Sequence, residues 1–143
     1  MIGSACAALR LDKEILDSGA GSISCEFRSR SDGNLFALRG ADGAGLELRI
    51  VGSSLVYEAT VPGRWSKLEA EDVRSLDDGR WHSAVVTVSS AGTRLYLDGY
   101  QVFCGTATAF LKDLPGLTQA VVGQGDSPEV AAFTVHPRVL TSR

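Results

Sequence analysis

A chain of 143 residues that is 44% hydrophobic can bury one core but is too short for two ordinary domains, so a single domain over residues 1–143 is expected. Charged residues make up 22% of the chain and the net charge is −3, which leaves no bulk field for DNA, RNA or anionic lipid and argues against a nucleic-acid partner. No apolar run approaches the roughly 20 residues of a membrane helix, and the apolar patch at residues 5–9 lacks the basic flank and the length of a secretory leader, so neither membrane nor leader is expected.

Gly, Asp and Ser punctuate the chain about every ten residues, the spacing of an all-β sandwich. In GSISCEFRSRSDGNLFALRG, residues 21–40, Ile23, Cys25 and Phe27 alternate with Ser24, Glu26 and Arg28, giving a strand one apolar and one polar face. After a turn at 31–34 the run LFALR resumes, and the two strands read as a hairpin. GLELRIVGSSLVYEATV repeats the device: Leu46, Leu48 and Ile50 face one way, Glu47 and Arg49 the other, and a turn at 52–54 leads into a strand over 55–61.

Residues 62–78, PGRWSKLEAEDVRSLDD, break the alternation and mix helix formers with charge, so they read as a loop with one helical turn. Trp65 in this loop is the candidate for an exposed aromatic platform, whereas Trp81, opening the next strand, reads as a core anchor. Beyond the SSAGT turn, Leu95 and Leu97 point inward with Arg94, Tyr96 and Asp98 outward, and the Asp-Gly pair at 98 and 99 turns the chain into YQVFCG. FLKDLPGL is a loop broken by Pro115 and Gly116. TQAVVGQG and EVAAFTVHPRVL supply the last two strands. Period-2 patterning dominates, and the fold class is all-β, two antiparallel sheets packed face to face.

The chemistry-bearing residues are sparse. Cys6, Cys25 and Cys104 are odd in number and widely spaced; three buried free thiols are preferred over a Cys6–Cys104 bridge. The only asparagine, Asn34, is not in a glycosylation sequon. His82 and His136 have no partners at metal-ligand spacing. There is no nucleophile elbow, and the sequence reveals no pair of carboxylates facing one cleft as a glycosidase needs. The Gly-x-Gly in VVGQGDS is followed by neither a helix nor a third glycine, so it is no phosphate cradle. A non-enzymatic role is preferred.

RWHSAVVTVSS followed by TRLYLDGYQV resembles the concanavalin A-like, laminin G-like jelly rolls, and SISCEFRSRSDGNLFALRG resembles their early hairpin. FLKDLPGLTQAVVG, then FTVHPRVLT, together with the opening LRLDKEILDSGAGSISCEFR, is similar to the family 40 carbohydrate-binding modules, the sialic acid-binding lectin domains attached to bacterial sialidases. This resemblance implies a two-sheet antiparallel jelly-roll sandwich acting as a lectin-like module, with a sialylated or other acidic glycan as partner on the concave sheet and a separate catalytic domain attached. Such a module would be secreted; a free-standing relative would be cytoplasmic. The resemblance also raises calcium at the rim, at Asp32-Gly33, Asp42-Gly43, the 77–79 turn, Asp98-Gly99 and Asp126. Six to eight converging oxygens are required, and Asp-Gly is ordinary turn chemistry; turns are preferred and no cofactor or metal is expected.

An acidic sugar needs a guanidinium fork for its carboxylate, acceptors for its hydroxyls and amide, and an apolar or aromatic patch. The polar strand faces offer Arg28, Glu47, Arg49, Glu58, Arg94 and Tyr96, led by the three arginines. Strand parity puts Glu47 with Arg49, and Arg94 with Tyr96 and Asp98. Singly, each is also an ordinary solubilising residue, since exposed ion pairs contribute about 0–1 kcal/mol. Two other readings stay open. One is a laminin G-like module that docks protein; the other is a stand-alone jelly roll that binds or transforms a hydrophobic metabolite in an apolar pocket.

Overall fold

The computed structural model describes residues 7–52, 54–70, 76, 78–117, 119–123 and 128–138. Eleven strands run in chain order among them: β1 (Ala7–Arg10), β2 (Gly21–Arg28), β3 (Gly33–Arg39), β4 (Gly45–Val51), β5 (Ser54–Val61), β6 (Arg64–Ala70), β7 (His82–Ser89), β8 (Gly92–Leu97), β9 (Tyr100–Gly105), β10 (Gln119–Val122) and β11 (Glu129–His136). A single helical turn, α1 (Lys13–Leu16), starts where the Asp12 carboxylate accepts the Ile15 N–H, and a 3-10 turn spans Leu111–Asp113.

The strands form two antiparallel sheets, a six-stranded one in the order β1-β10-β3-β4-β5-β6 and a five-stranded one in the order β11-β2-β7-β8-β9. Alternation sorts the side chains as the period of two requires. Ile23, Phe27, Val86, Val88 and Leu95 of the smaller sheet are buried in one cluster with Phe36, Leu38, Leu46, Leu48, Leu55 and Tyr57 of the larger. Burying each such side chain is worth about 1.5–3 kcal/mol, and this shared cluster fills the space between the sheets. Two turns have positive φ at both central residues, Asp42 and Gly43 at 56° and 79°, and Asp98 and Gly99 at 52° and 88°. This is the type I′ geometry whose twist matches flanking antiparallel strands, and these two Asp-Gly pairs supply it.

The structure departs from four sequence expectations. First, β2 and β3 are not a hairpin: β2 pairs with β7 and β11, and β3 with β4 and β10, so the chain arches from one sheet to the other at 29–32. Second, the segment expected to be a loop with a helical turn contains β6, which pairs with β5 along its length from Val61↔Arg64 to Leu55↔Ala70. Third, Trp81 is 47% exposed rather than a core anchor; the inward residues of β7 are His82, Ala84, Val86 and Val88, so position 81 has the outward parity. Fourth, Cys104 is an exposed free thiol on an outermost strand, whereas Cys25 is free and buried as expected. Cys6, Asp77, Asp126 and most of VVGQGDS lie outside the described residues.

Candidate functional site

The outer face of the six-stranded sheet is ordered by strand register into cross-strand rows. One row runs Asn34, Arg49, Val56, Glu69; the next runs Ala37, Glu47, Glu58, Lys67; the third runs Arg39, Gly45, Thr60, Trp65. Neighbouring rows bring opposite charges together. Arg49 Nη1 lies 3.0 Å from Glu58 Oε1 and 3.8 Å from Glu47 Oε1, and the other Glu47 oxygen is 3.0 Å from Arg39 Nη1. The Trp65 indole N–H donates to Glu58 Oε2 at 2.6 Å. That bond, the largest influence, holds the Glu58 carboxyl below the usual range; partial burial opposes it, and the Arg49 guanidinium and the Lys67 charge reinforce it.

The arrangement fixes an aromatic ring at the surface. Trp65 is 62% exposed, and its edge is clamped by a carboxylate that Arg49 itself clamps. Arg49 and Glu58 are each about three-quarters buried, with side-chain exposures of 26% and 27%, so this pair is more than a loose surface contact. Lys67, two residues along the same strand, flanks the ring on the same face. Trp65 and Lys67 also stand on the lip of a cleft of about 720 Å³ between β6 and β9.

Of the six residues singled out from sequence, the structure brings three together here: Glu47, Arg49 and Glu58. The other three lie on the five-stranded sheet. Arg28 is bound there by Nε and Nη2 to Glu129 Oε1, at 3.0 and 2.8 Å, and its guanidinium lies over the Trp81 ring, 5.0 Å from the centroid. Arg94 is exposed opposite Thr87 and Cys104, and Tyr96 is half-buried opposite Val85 and Gln101. The expected cluster of three arginines is therefore divided between opposite faces, with sheets about 10 Å apart between them, and one sugar cannot span it. Arg39 and Lys67 were missed. The signal for Lys67 was its spacing of two from Trp65 and from Glu69, visible once 64–70 is read as a strand.

A second polar cluster has a different character. His82 is buried, with Nδ1 2.9 Å from Asp98 Oδ2 and Nε2 3.1 Å from Asp78 Oδ1, and its ring packs 5.5 Å from that of Phe27. Asp98 Oδ1 also accepts the Ser83 N–H at 2.8 Å. The Arg80 backbone N–H first, and His82 after it, hold the Asp78 carboxyl below its ordinary range. The imidazole thus ties the approach to β7 to the β8–β9 turn.

The sequence profile of the Concanavalin A-like lectin/glucanases superfamily matches residues 4–136. Among solved structures, the Ruminococcus gnavus IT-sialidase CBM40 superposes with a TM-score of 0.72 at 15% identity, covering 99% of this chain and 91% of that one. The same module bound to alpha2,3 sialyllactose gives 0.73 at 15% identity with the same coverage. Mouse laminin alpha1 chain, domains LG4-5, gives 0.68 at 21% identity over 94% of this chain and 39% of that one. No curated protein sequence matches the chain. At these identities the structural likeness is one of fold.

Proposed function

The chain belongs to the Concanavalin A-like lectin/glucanases superfamily, and on that premise we propose that it is a carbohydrate-binding module, without catalysis of its own, for glycans carrying sialic acid or a related acidic sugar. The observation that carries this reading is Trp65: a ring 62% exposed whose N–H is fixed by Glu58 and whose flank carries Lys67. A pyranose presents C–H groups to such a ring and hydroxyls at its rim. Glu47 and Glu58 have oxygens to accept those hydroxyls, Lys67 and Arg39 meet the carboxylate, and Arg49 braces the carboxylates between them. A hydrolytic reading would require one carboxyl to be raised to serve as the general acid. Glu58, whose carboxyl the Trp65 N–H holds below its ordinary range, does not supply that acid. A metabolite pocket between the sheets would have to displace the buried cluster of Ile23, Phe27, Leu46 and their neighbours. The solved CBM40 bound to alpha2,3 sialyllactose supports the choice of ligand class for this fold.

The test is calorimetric titration of α2,3-sialyllactose into the folded chain, with lactose as the control. Saturable heat with a Kd between about 1 μM and 1 mM for the sialylated sugar, and none for lactose, is the expected result. Absence of heat with sialyllactose at high concentration overturns the reading.

A further inference from the structure

The cleft beside Trp65 differs chemically from the sheet face. It opens between β6 and β9, the outermost strands of the two sheets. Its volume of about 720 Å³ falls within the roughly 300–1,000 Å³ of sites that enclose a whole small ligand, more than one pyranose fills. Trp65 and Phe103, 62% and 40% exposed, stand on its walls, with hydroxyls at Ser66, Thr106 and Thr108.

Arg64 and Lys67 line the cleft, and among the described residues no carboxylate does. The sheet face next to it, by contrast, sets Glu47, Glu58 and Glu69 against Arg39, Arg49 and Lys67. The ion pairs of the two cleft cations are long, Arg64 to Asp113 at 3.9 Å and Lys67 to Glu69 at 3.7 Å, and both cations are exposed, so these contacts compete weakly with a ligand. The backbone adds donors and acceptors. The two-residue loop Pro62-Gly63 makes Val61 and Arg64 the hydrogen-bonded pair of the β5–β6 hairpin, so the N–H and C=O of Trp65 and Lys67 point off the free edge of β6.

We propose that this cleft is a second subsite, so that the module grips an acidic oligosaccharide over at least two consecutive sugars instead of capping a single terminal one. The proposal rests on the Trp65 reading above. The acidic sugar lies against Trp65 with Lys67 at its carboxylate. The next sugar enters between Trp65 and Phe103, where Arg64, the threonine hydroxyls and the edge backbone meet its hydroxyls.

Cys104 supplies the probe, because it lines this cleft and is exposed. Cys25 is buried with its thiol pushed up to about 12, so in a Cys6→Ser chain maleimide alkylation reports on Cys104. The rate is measured with no sugar, with free N-acetylneuraminic acid and with α2,3-sialyllactose, each at ten times the Kd from titration. Sialyllactose should slow alkylation by about tenfold, its occupancy being about nine-tenths, while the monosaccharide leaves the rate unchanged. Phe103→Ala should erase the affinity advantage of the trisaccharide and spare monosaccharide binding. If both sugars bind and Cys104 reacts equally fast with either, the second subsite is overturned and the Trp65 reading stands. If neither binds, both fall together. Protection by an extended acidic peptide but not by sialyllactose overturns the proposal in favour of strand addition at the β6 edge.

Discussion

Trp65 and Trp81 are both substantially exposed, 62% and 47%, one on each sheet, yet they are held in different ways. Trp65 is tied by its edge to Glu58, a contact that leaves the flat of the ring uncovered. Trp81 lies beneath the Arg28 guanidinium, whose Nε and Nη2 edge Glu129 holds. Exposure alone therefore does not make an aromatic platform. What distinguishes the two is whether the ring is anchored through its polar atom or through its face.

The largest effect should come from truncating the two rings in turn. Trp65→Ala is expected to weaken sialyllactose binding by at least about 30-fold, or about 2 kcal/mol, as for a central aromatic contact, while Trp81→Ala leaves affinity within about twofold; titration of both variants decides it. Equal losses would dissolve the distinction.

A smaller effect separates the anchor from the ring. Glu58→Gln keeps the hydrogen bond but removes its charge, a change of about 1 kcal/mol and so about fivefold in affinity. The sign of the pH dependence follows from the depressed Glu58 pKa. The contribution of a carboxylate with a lowered folded-state value is complete above its ordinary value of 4.5 and is lost as pH falls through the lower folded one. Trp65 emission in a Trp81→Phe chain should accordingly stay constant from about pH 7 to 5 and change only in stronger acid; a transition near pH 6 would contradict the assignment.

The smallest effect belongs to the covered ring. Arg28→Ala removes a cation–π contact worth about 0.5–1 kcal/mol. It should lower the denaturation midpoint slightly and shift Trp81 emission to the red, with sugar affinity unchanged.

The sequence made some of this legible and hid the rest for identifiable reasons. Leu46, Leu48 and Ile50 against Glu47 and Arg49 announced β4, because a half-buried strand writes its two faces into alternate residues. In β6 the same alternation exists with its hydropathy inverted at one end: Ser66 is set inward and Trp65 outward, so the apolar signal cancels. Trp81 misled for a related reason, since bulk suggested burial where the parity of Ala84, Val86 and Val88 placed His82 inside instead. Local alternation is also silent about partners. The β2–β3 connection reads the same whether two strands pair or arch across the sandwich, and for that reason Arg28 and Arg49 could not be separated before the sheets were seen.

The strand order carries a consequence for how the molecule acquires its shape. Both sheets are completed by late strands, β10 inserting between β1 and β3 and β11 pairing with β2, so contacts such as Arg28 with Glu129 span most of the chain. Pairings of such high contact order form slowly, because the entropy of a long loop is lost before the contact is gained. The strands carrying Glu47, Arg49, Glu58, Trp65 and Lys67 are instead a meander of adjacent hairpins, β4-β5-β6, closed by short turns. The surface assigned to the ligand therefore rests on pairings of low sequence separation, whereas the closure of the sandwich rests on long-range ones.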